Sequence, residues 1–169
     1  LGPLGNGFTI QPEAKNILLV AGGIGVAPLR FLADEALRQG KDVTLFLGTK
    51  TSCHLYPESL FLHGIGLVKV TEDGSAGEKG TITDSARRFV VSGTVDQIFA
   101  CGPLPMYRTM SHMPELKNKL VQVSLEVRMG CGLGICYACT VKTGHGLEQV
   151  CKDGPVFTLG DVHWDGVTC

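Results

Sequence analysis

The sequence predicts an α/β protein: a five-stranded, doubly wound parallel sheet followed by a small C-terminal domain organised by cysteines. Three observations predict it. Short apolar runs ending in glycine or turn residues recur at Asn16–Val20, Val43–Leu47, Leu67–Val70, Asp96–Ala100 and Leu120–Leu125, as buried parallel strands read. Helix-period segments fall between several of them, so those connections are crossovers rather than hairpins. Beyond Leu125 the alternation stops, and Cys131, Cys136, Cys139 and Cys151 follow in a C-x4-C-x2-C-x11-C arrangement.

The first strand runs directly into Ala21-Gly-Gly-Ile-Gly-Val-Ala-Pro28. Val26, Leu29, Leu32, Ala33, Ala36 and Leu37 then recur at helical spacing, with Pro28 in the first turn, where it is tolerated, and Gly40 as the stop. A strand, a glycine turn and a helix start together present free amides and a positive dipole end to a pyrophosphate. Gly22, Gly23 and Gly25 are the candidate positions of close approach. The pattern is G-x-G-x-x-P, which a tight βα turn would also use. After the second strand, Gly48-Thr49-Lys50 lacks the usual carboxylate for a ribose 2′-hydroxyl; Lys50, Thr51 and Ser52 suit a 2′-phosphate or simply a solvated loop. The third strand leads into Asp73, Gly74 and Ser75, candidate nucleotide contacts that also make an ordinary turn. Thr83 or Asp84 is the expected cap of the following helix. The fourth strand ends at Cys101-Gly-Pro-Leu-Pro-Met106, at the carboxyl edge where such sheets bind ligands.

Four thiolates so spaced can meet on one centre. The first three spacings match the plant-type [2Fe–2S] run. Gly130, Gly132 and Gly134 allow tight turns with positive φ, and Leu133, Ile135 and Ala138 leave amides free to point at sulfur. A structural zinc knot is the competing reading, for which paired C-x2-C motifs are the commoner signature. Thr140–Thr143 and Leu147–Val150 read as a hairpin around Gly144–Gly146, and 154–157 with 162–165 as a final extended segment. So short a tail would need its metal for much of its stability.

The 169 residues carry a net charge of -1, 44% hydrophobic and 18% charged residues. That balance suits a globular core and gives no electrostatic case for nucleic acid or an anionic membrane. The apolar stretch from Ile17 to Leu32 is short and broken by glycines and Pro28, so no membrane span is expected. Seven cysteines would fit a secreted disulfide scaffold, but four have metal spacing, so a reducing cytoplasm is expected. Cys53 and Cys169 read as free thiols. His54, His63, His112, His145 and His163 show no ligand spacing among themselves.

Together GPLGNGF (2–8), AGGIGVAPL (21–29), TEDGSAGEKGTITD (71–84), ACGPLPM (100–106), EVRMGCGLGICYACTV (126–141) and CKDGPVF (151–157) resemble the iron–sulfur flavoprotein (electron transfer) subunit of bacterial type 1B dihydroorotate dehydrogenase. AGGIGVAPL and CGPLPM are shared with ferredoxin reductase-like NAD(P) domains generally; the cysteine segment narrows the match. The resemblance implies an oxidoreductase subunit of pyrimidine biosynthesis, passing electrons from a partner's FMN through [2Fe–2S] and FAD to NAD. It implies residues 1–15 as a linker from an FAD-binding barrel that is not in this sequence, 16–125 as the NAD(P)-binding domain and 126–169 as the cluster domain. Cys131, Cys136, Cys139 and Cys151 become the cluster ligands. Cys101 and Gly102 lie where the nicotinamide sits, with Met106 behind them. The implied partner is the FMN-containing catalytic subunit in a heterotetramer, and these residues alone are expected to be inactive with NADH. Alternatives are an electron-transfer subunit of another ferredoxin/NADP reductase or sulfhydrogenase complex, and a non-redox, zinc-stabilised nucleotide-binding module.

Overall fold

The computed structural model describes residues 4–61 and 63–167; Cys169 lies outside them. Up to Ser124 the chain alternates as expected: β1 (Asn16–Gly22), α1 (Val26–Arg38), β2 (Asp42–Thr49), β3 (Ile65–Thr71), β4 (Glu78–Lys79), α2 (Ile82–Ser92), β5 (Gln97–Cys101), α3 (Leu104–Ser111) and β6 (Leu120–Ser124). The tail adds β7 (Thr140–Thr143), β8 (Gly146–Gln149) and β9 (Val156–Thr158). The five expected strands form the parallel centre of a sheet ordered β4-β3-β2-β1-β5-β6-β9. Two strands extend it beyond the expected five: β4, parallel and two residues long, and β9, antiparallel to β6.

Alternate residues of β1 explain why helices cover both faces. Ile17, Leu19 and Ala21 join Leu29, Leu32, Ala33 and Ala36 of α1 in one core. Leu18 and Val20 join Ala86 and Val90 of α2 and Tyr107 and Met110 of α3 in the other. A side-chain period of 2 makes each strand serve both layers.

Two local expectations change. The cap of α2 is Thr81: its Oγ1 accepts the Asp84 amide at 3.3 Å and donates to the Asp84 carboxylate at 2.7 Å. Thr81 thus takes up one free amide of the first turn, and its hydroxyl is oriented by Asp84 three residues on. The hairpin β7–β8 forms one residue earlier on its second arm than expected, leaving Val150 fully buried.

The tail does not stand as a core of its own held by metal alone. Val141, Val150, Phe157, Leu159, Val162, Trp164 and Val167 are buried in the same cluster as Ile98, Val121 and Val123 of the sheet. Trp164 stacks on Tyr107 with ring centroids 5.2 Å apart, and Arg108 donates to the Trp164 and Val167 carbonyls. The apolar contribution comes from residues that a local reading leaves unpartnered.

The N-terminal stretch is fastened as well. Gln97, with no exposed surface, accepts the Gln11 amide at 2.9 Å and donates to the Thr9 carbonyl at 2.8 Å. Phe8 meets Phe99 edge to face, and the Asn6 amide donates to the Gly154 carbonyl at 2.6 Å. Replacing Gln97 by Leu keeps the volume and leaves the Gln11 amide without its acceptor. The expected loss is about 1–3 kcal/mol, read as a lower denaturation midpoint in urea at unchanged slope.

Candidate functional site

The carboxyl ends of the five central strands open into one cavity of about 1070 Å³. Its wall takes Glu72 after β3, Thr49 and Lys50 at the end of β2, Gly22 to Pro28 after β1, Cys101 and Gly102 at β5, and Ser124 to Glu126 at β6. At ~4.8 Å between neighbouring strands, five ends span roughly 19 Å, a length suited to an extended dinucleotide rather than a small metabolite.

Each glycine after β1 does a different job. Gly23 has φ +56°, and a Cβ there would meet open space. Gly25 lies against β5: a Cβ would stand 1.9 Å from the Cys101 carbonyl oxygen. A Cβ on Gly22 would stand 2.7 Å from Pro103 Cδ, so Gly22 admits the loop after β5. The start of α1 has no side-chain cap and no acidic residue in its first turn, which leaves its positive end available to an anion at the middle of the cavity. Met106 is buried behind Gly22 and Gly102, within contact distance of a Cβ on either.

The Cys101 thiol sits at the other end, 3.9 Å from the Ser124 carbonyl. Burial pushes its pKa up, so it stays protonated. Asp73, Gly74 and Ser75 are not brought to the cavity wall. Asp73 Oδ1 accepts both the amide and the hydroxyl of Ser75, which hold its carboxyl below the usual range, and Ser75 Oγ accepts the Ser52 amide at 2.7 Å. These residues lock one turn to another. Of the loop after β2, Lys50 lines the cavity while Thr51 and Ser52 do not.

Residues that the sequence did not assign to the site also face the cavity. Cys53 and His54 form part of its rim, and both approach the Thr51 hydroxyl, at 2.8 and 3.0 Å. Glu72 is the carboxylate at the β2–β3 end: its amide donates to the Thr49 carbonyl at 3.1 Å, so it stands beside the end of β2. A search confined to the end of β2 passes it by.

The cysteine loop is built by backbone. Gly132 and Gly134 take φ of +69° and +73°, and Tyr137 takes +58°. Gly130 does not need positive φ; a Cβ there would sit 3.0 Å from Cys136 Sγ. Amides of Leu133, Ile135 and Cys136 point at Cys131 Sγ at 3.3 to 3.4 Å, and that of Gly134 at Cys151 Sγ at 3.2 Å. The Leu133 amide, followed by those of Cys136 and Ile135, pulls the Cys131 thiol down to about 6, into thiolate at neutral pH. The four sulfurs group as two couples. Cys131 and Cys136 exchange amide–sulfur contacts at 3.4 Å, and the Cys151 amide reaches Cys139 Sγ at 3.5 Å. Contact with Cys139, then burial, pushes Cys151 up. Among the described residues no three His, Cys, Asp or Glu side chains gather to hold a single ion. Two couples fit a two-iron core that takes two thiolates on each iron better than one tetrahedral zinc.

Residues 19–112 match the oxidoreductase NAD-binding domain. The chain belongs to that family. Residues 126–163 match the iron–sulfur cluster binding domain of dihydroorotate dehydrogenase B. The electron transfer subunit of dihydroorotate dehydrogenase B (NAD(+)) from Geobacillus sp. (strain WCH70) is 41% identical over 167 residues, which cover 96% of this chain and 63% of that protein. Its counterpart from Caldanaerobacter subterraneus subsp. tengcongensis is 40% identical over 166 residues, covering 95% and 64%. The chain thus spans somewhat under two thirds of these relatives. A solved NADH-dependent reduced ferredoxin–NADP oxidoreductase, described for flavin-based electron bifurcation, aligns with a TM-score of 0.86 at 33% identity, over 98% of this chain and 59% of that one. The fold is ferredoxin reductase-like, as the sequence led us to expect.

The glycines separate binding from folding. Gly23→Ala should lower stability by only about 1–2 kcal/mol for the left-handed backbone while placing a methyl in the anion position. Gly25→Ala should instead force β1 and β5 apart. In NADH titration and thermal unfolding, Gly23→Ala is expected to lose binding with a small fall in Tm, and Gly25→Ala to lose both.

Proposed function

We propose that these residues are the nucleotide and cluster parts of an electron-transfer subunit, passing electrons from a flavoenzyme partner that oxidises dihydroorotate through [2Fe–2S] and FAD to NAD. The observation that carries it is one chain bringing a dinucleotide-length cavity and a two-couple thiolate loop onto the same sheet edge: Glu126 lines the cavity and Cys131 follows five residues later. Residues 16–125 serve the nucleotide and 126–169 the cluster, with 1–15 leading from a flavin-binding part. Cys131, Cys136, Cys139 and Cys151 hold the iron, and the amides aimed at their sulfurs stabilise added negative charge. When bound, a flavin supplies the conversion between hydride pairs and single electrons. The residues here orient the nicotinamide beside Cys101 and Gly102 and keep the pyrophosphate at the start of α1. The partner is the FMN-containing catalytic subunit, in a heterotetramer in the cytoplasm; no described helix is long and apolar enough to cross a membrane.

Anaerobically purified protein should carry iron and acid-labile sulfide near two each per chain, as the cluster formula requires. Cys136→Ser should bleach its visible absorption. Stoichiometric zinc without sulfide would show that the couples serve a structural metal instead.

Glu72 supports NAD over NADP. Among the described residues no donor takes up its carboxylate, no arginine lines the cavity, and Lys50 is the lone lysine there. A 2′-phosphate would bring nearly two negative charges against it, whereas ribose hydroxyls can donate to it. Glu72→Gln should weaken NADH binding by roughly tenfold, the size of one charge-assisted hydrogen bond, and narrow the discrimination against NADPH. Calorimetry with both cofactors checks this.

Met129, Leu133, Ile135 and Tyr137 are exposed around the cysteines, an apolar surface that suits the partner subunit. Ile135→Asp should weaken co-purification with that subunit while iron content per chain stays unchanged.

A further inference from the structure

The parallel ladder between β5 and β6 ends at the pair Cys101 and Ser124. Beyond it the chain segments part, the one after β5 turning through Gly102 into α3 and the one after β6 running on to Glu126. A side chain takes over at that point. The Tyr107 hydroxyl accepts the Gly102 amide at 2.8 Å and donates to the Ser124 carbonyl at 2.6 Å. One oxygen thus bridges a donor and an acceptor that the diverging strands cannot offer each other. Gly102, Ser124 and Glu126 all line the cavity, so this rung lies just behind the wall where the nicotinamide is placed above.

Four further facts make the rung stiff. Tyr107 is 2% exposed. Burial, then the nearby Cys101 thiol, raises its pKa far above the ordinary phenol value, so it remains a donor at every pH the protein meets. Its ring lies on Trp164, whose indole N–H donates to the Leu159 carbonyl at 3.0 Å. The residue beside it, Arg108, donates to the Trp164 and Val167 carbonyls.

We propose that Tyr107 is a positioning residue for the dinucleotide: its hydroxyl sets the width of the nicotinamide slot between the ends of β5 and β6, and its ring anchors that slot to the C-terminal segment. The inference rests on the nucleotide reading above. It assigns Tyr107 no contact with the ligand. Its effect passes through Gly102 and Ser124, and so concerns one end of the cavity alone. The adenosine end, walled by Lys50 and Glu72, lies beyond β1 at the ends of β2 and β3, and among the described residues no hydrogen bond links it to Tyr107.

That asymmetry supplies the test. In the complete subunit, oxidised and loaded with its cluster and flavin, the affinities for NAD⁺ and for ADP-ribose are measured by calorimetry. ADP-ribose keeps the adenosine and pyrophosphate and lacks the nicotinamide. Tyr107→Phe keeps the ring on Trp164 and removes only the hydroxyl. It should weaken NAD⁺ by roughly tenfold, about 1.4 kcal/mol, while ADP-ribose changes less than about twofold. Hydrogen exchange at the Gly102 amide should quicken in the same variant. Trp164→Phe loosens the stack without touching the hydroxyl, and should lower the NAD⁺-to-ADP-ribose ratio in the same direction by a smaller factor. Equal losses for both ligands, or an unchanged ratio in both variants, would overturn the assignment and leave Tyr107 a packing residue. A wild-type subunit that binds neither ligand would instead defeat the nucleotide site itself.

Discussion

Gly25 lies so close to the Cys101 carbonyl that a single added carbon would overlap it at 1.9 Å. The loop after β1 and the end of β5 are therefore in contact with no side chain between them, and the central parallel pair continues to its last residue. Everything at the ligand edge depends on that closeness. It seats the start of α1 over the sheet, draws Pro103 and Met106 against Gly22, and makes five strand ends share a single opening. A side chain of any size would convert one long cavity into two separate clefts.

The same economy governs the tail. Its residues are too few to enclose a core, and they do not try to. Phe157 and Trp164 bury themselves against β6 and α3, and β9 closes the sheet on that side. The cysteine loop is then free to be shaped by backbone alone, with amides aimed at sulfur rather than spent on a ladder. Rigid support behind and adaptable polar backbone in front is how sites keep accurate geometry on an irregular segment.

The central strands were legible because each is a short, mostly apolar run in a sheet that helices cover on both faces, so local composition and tertiary burial agree. The glycine turn and the four cysteines were legible because their chemistry fixes their spacing. What escaped depends on distant partners. β9 is three residues, and only pairing with Ser124 to Gln122 makes it a strand. Glu72 follows β3 yet stands beside the end of β2, a neighbour across the sheet. Tyr107 reads as one more apolar position on a helix until Gly102 and Ser124 are seen at its hydroxyl. Asp73 to Ser75 show the reverse: residues of the right type for a ligand whose hydrogen bonds are already used within the turn.

Asn6 donates through its side chain to the Asp153 carbonyl at 3.0 Å as well as through its backbone to Gly154. Polypeptide entering at Leu4 consequently arrives two residues from Cys151, whereas the chain leaves Val167 beside Arg108 on the α3 side. Bulk added at Asn6 would therefore press on the turn after Cys151, whereas bulk added at Val167 would press on α3.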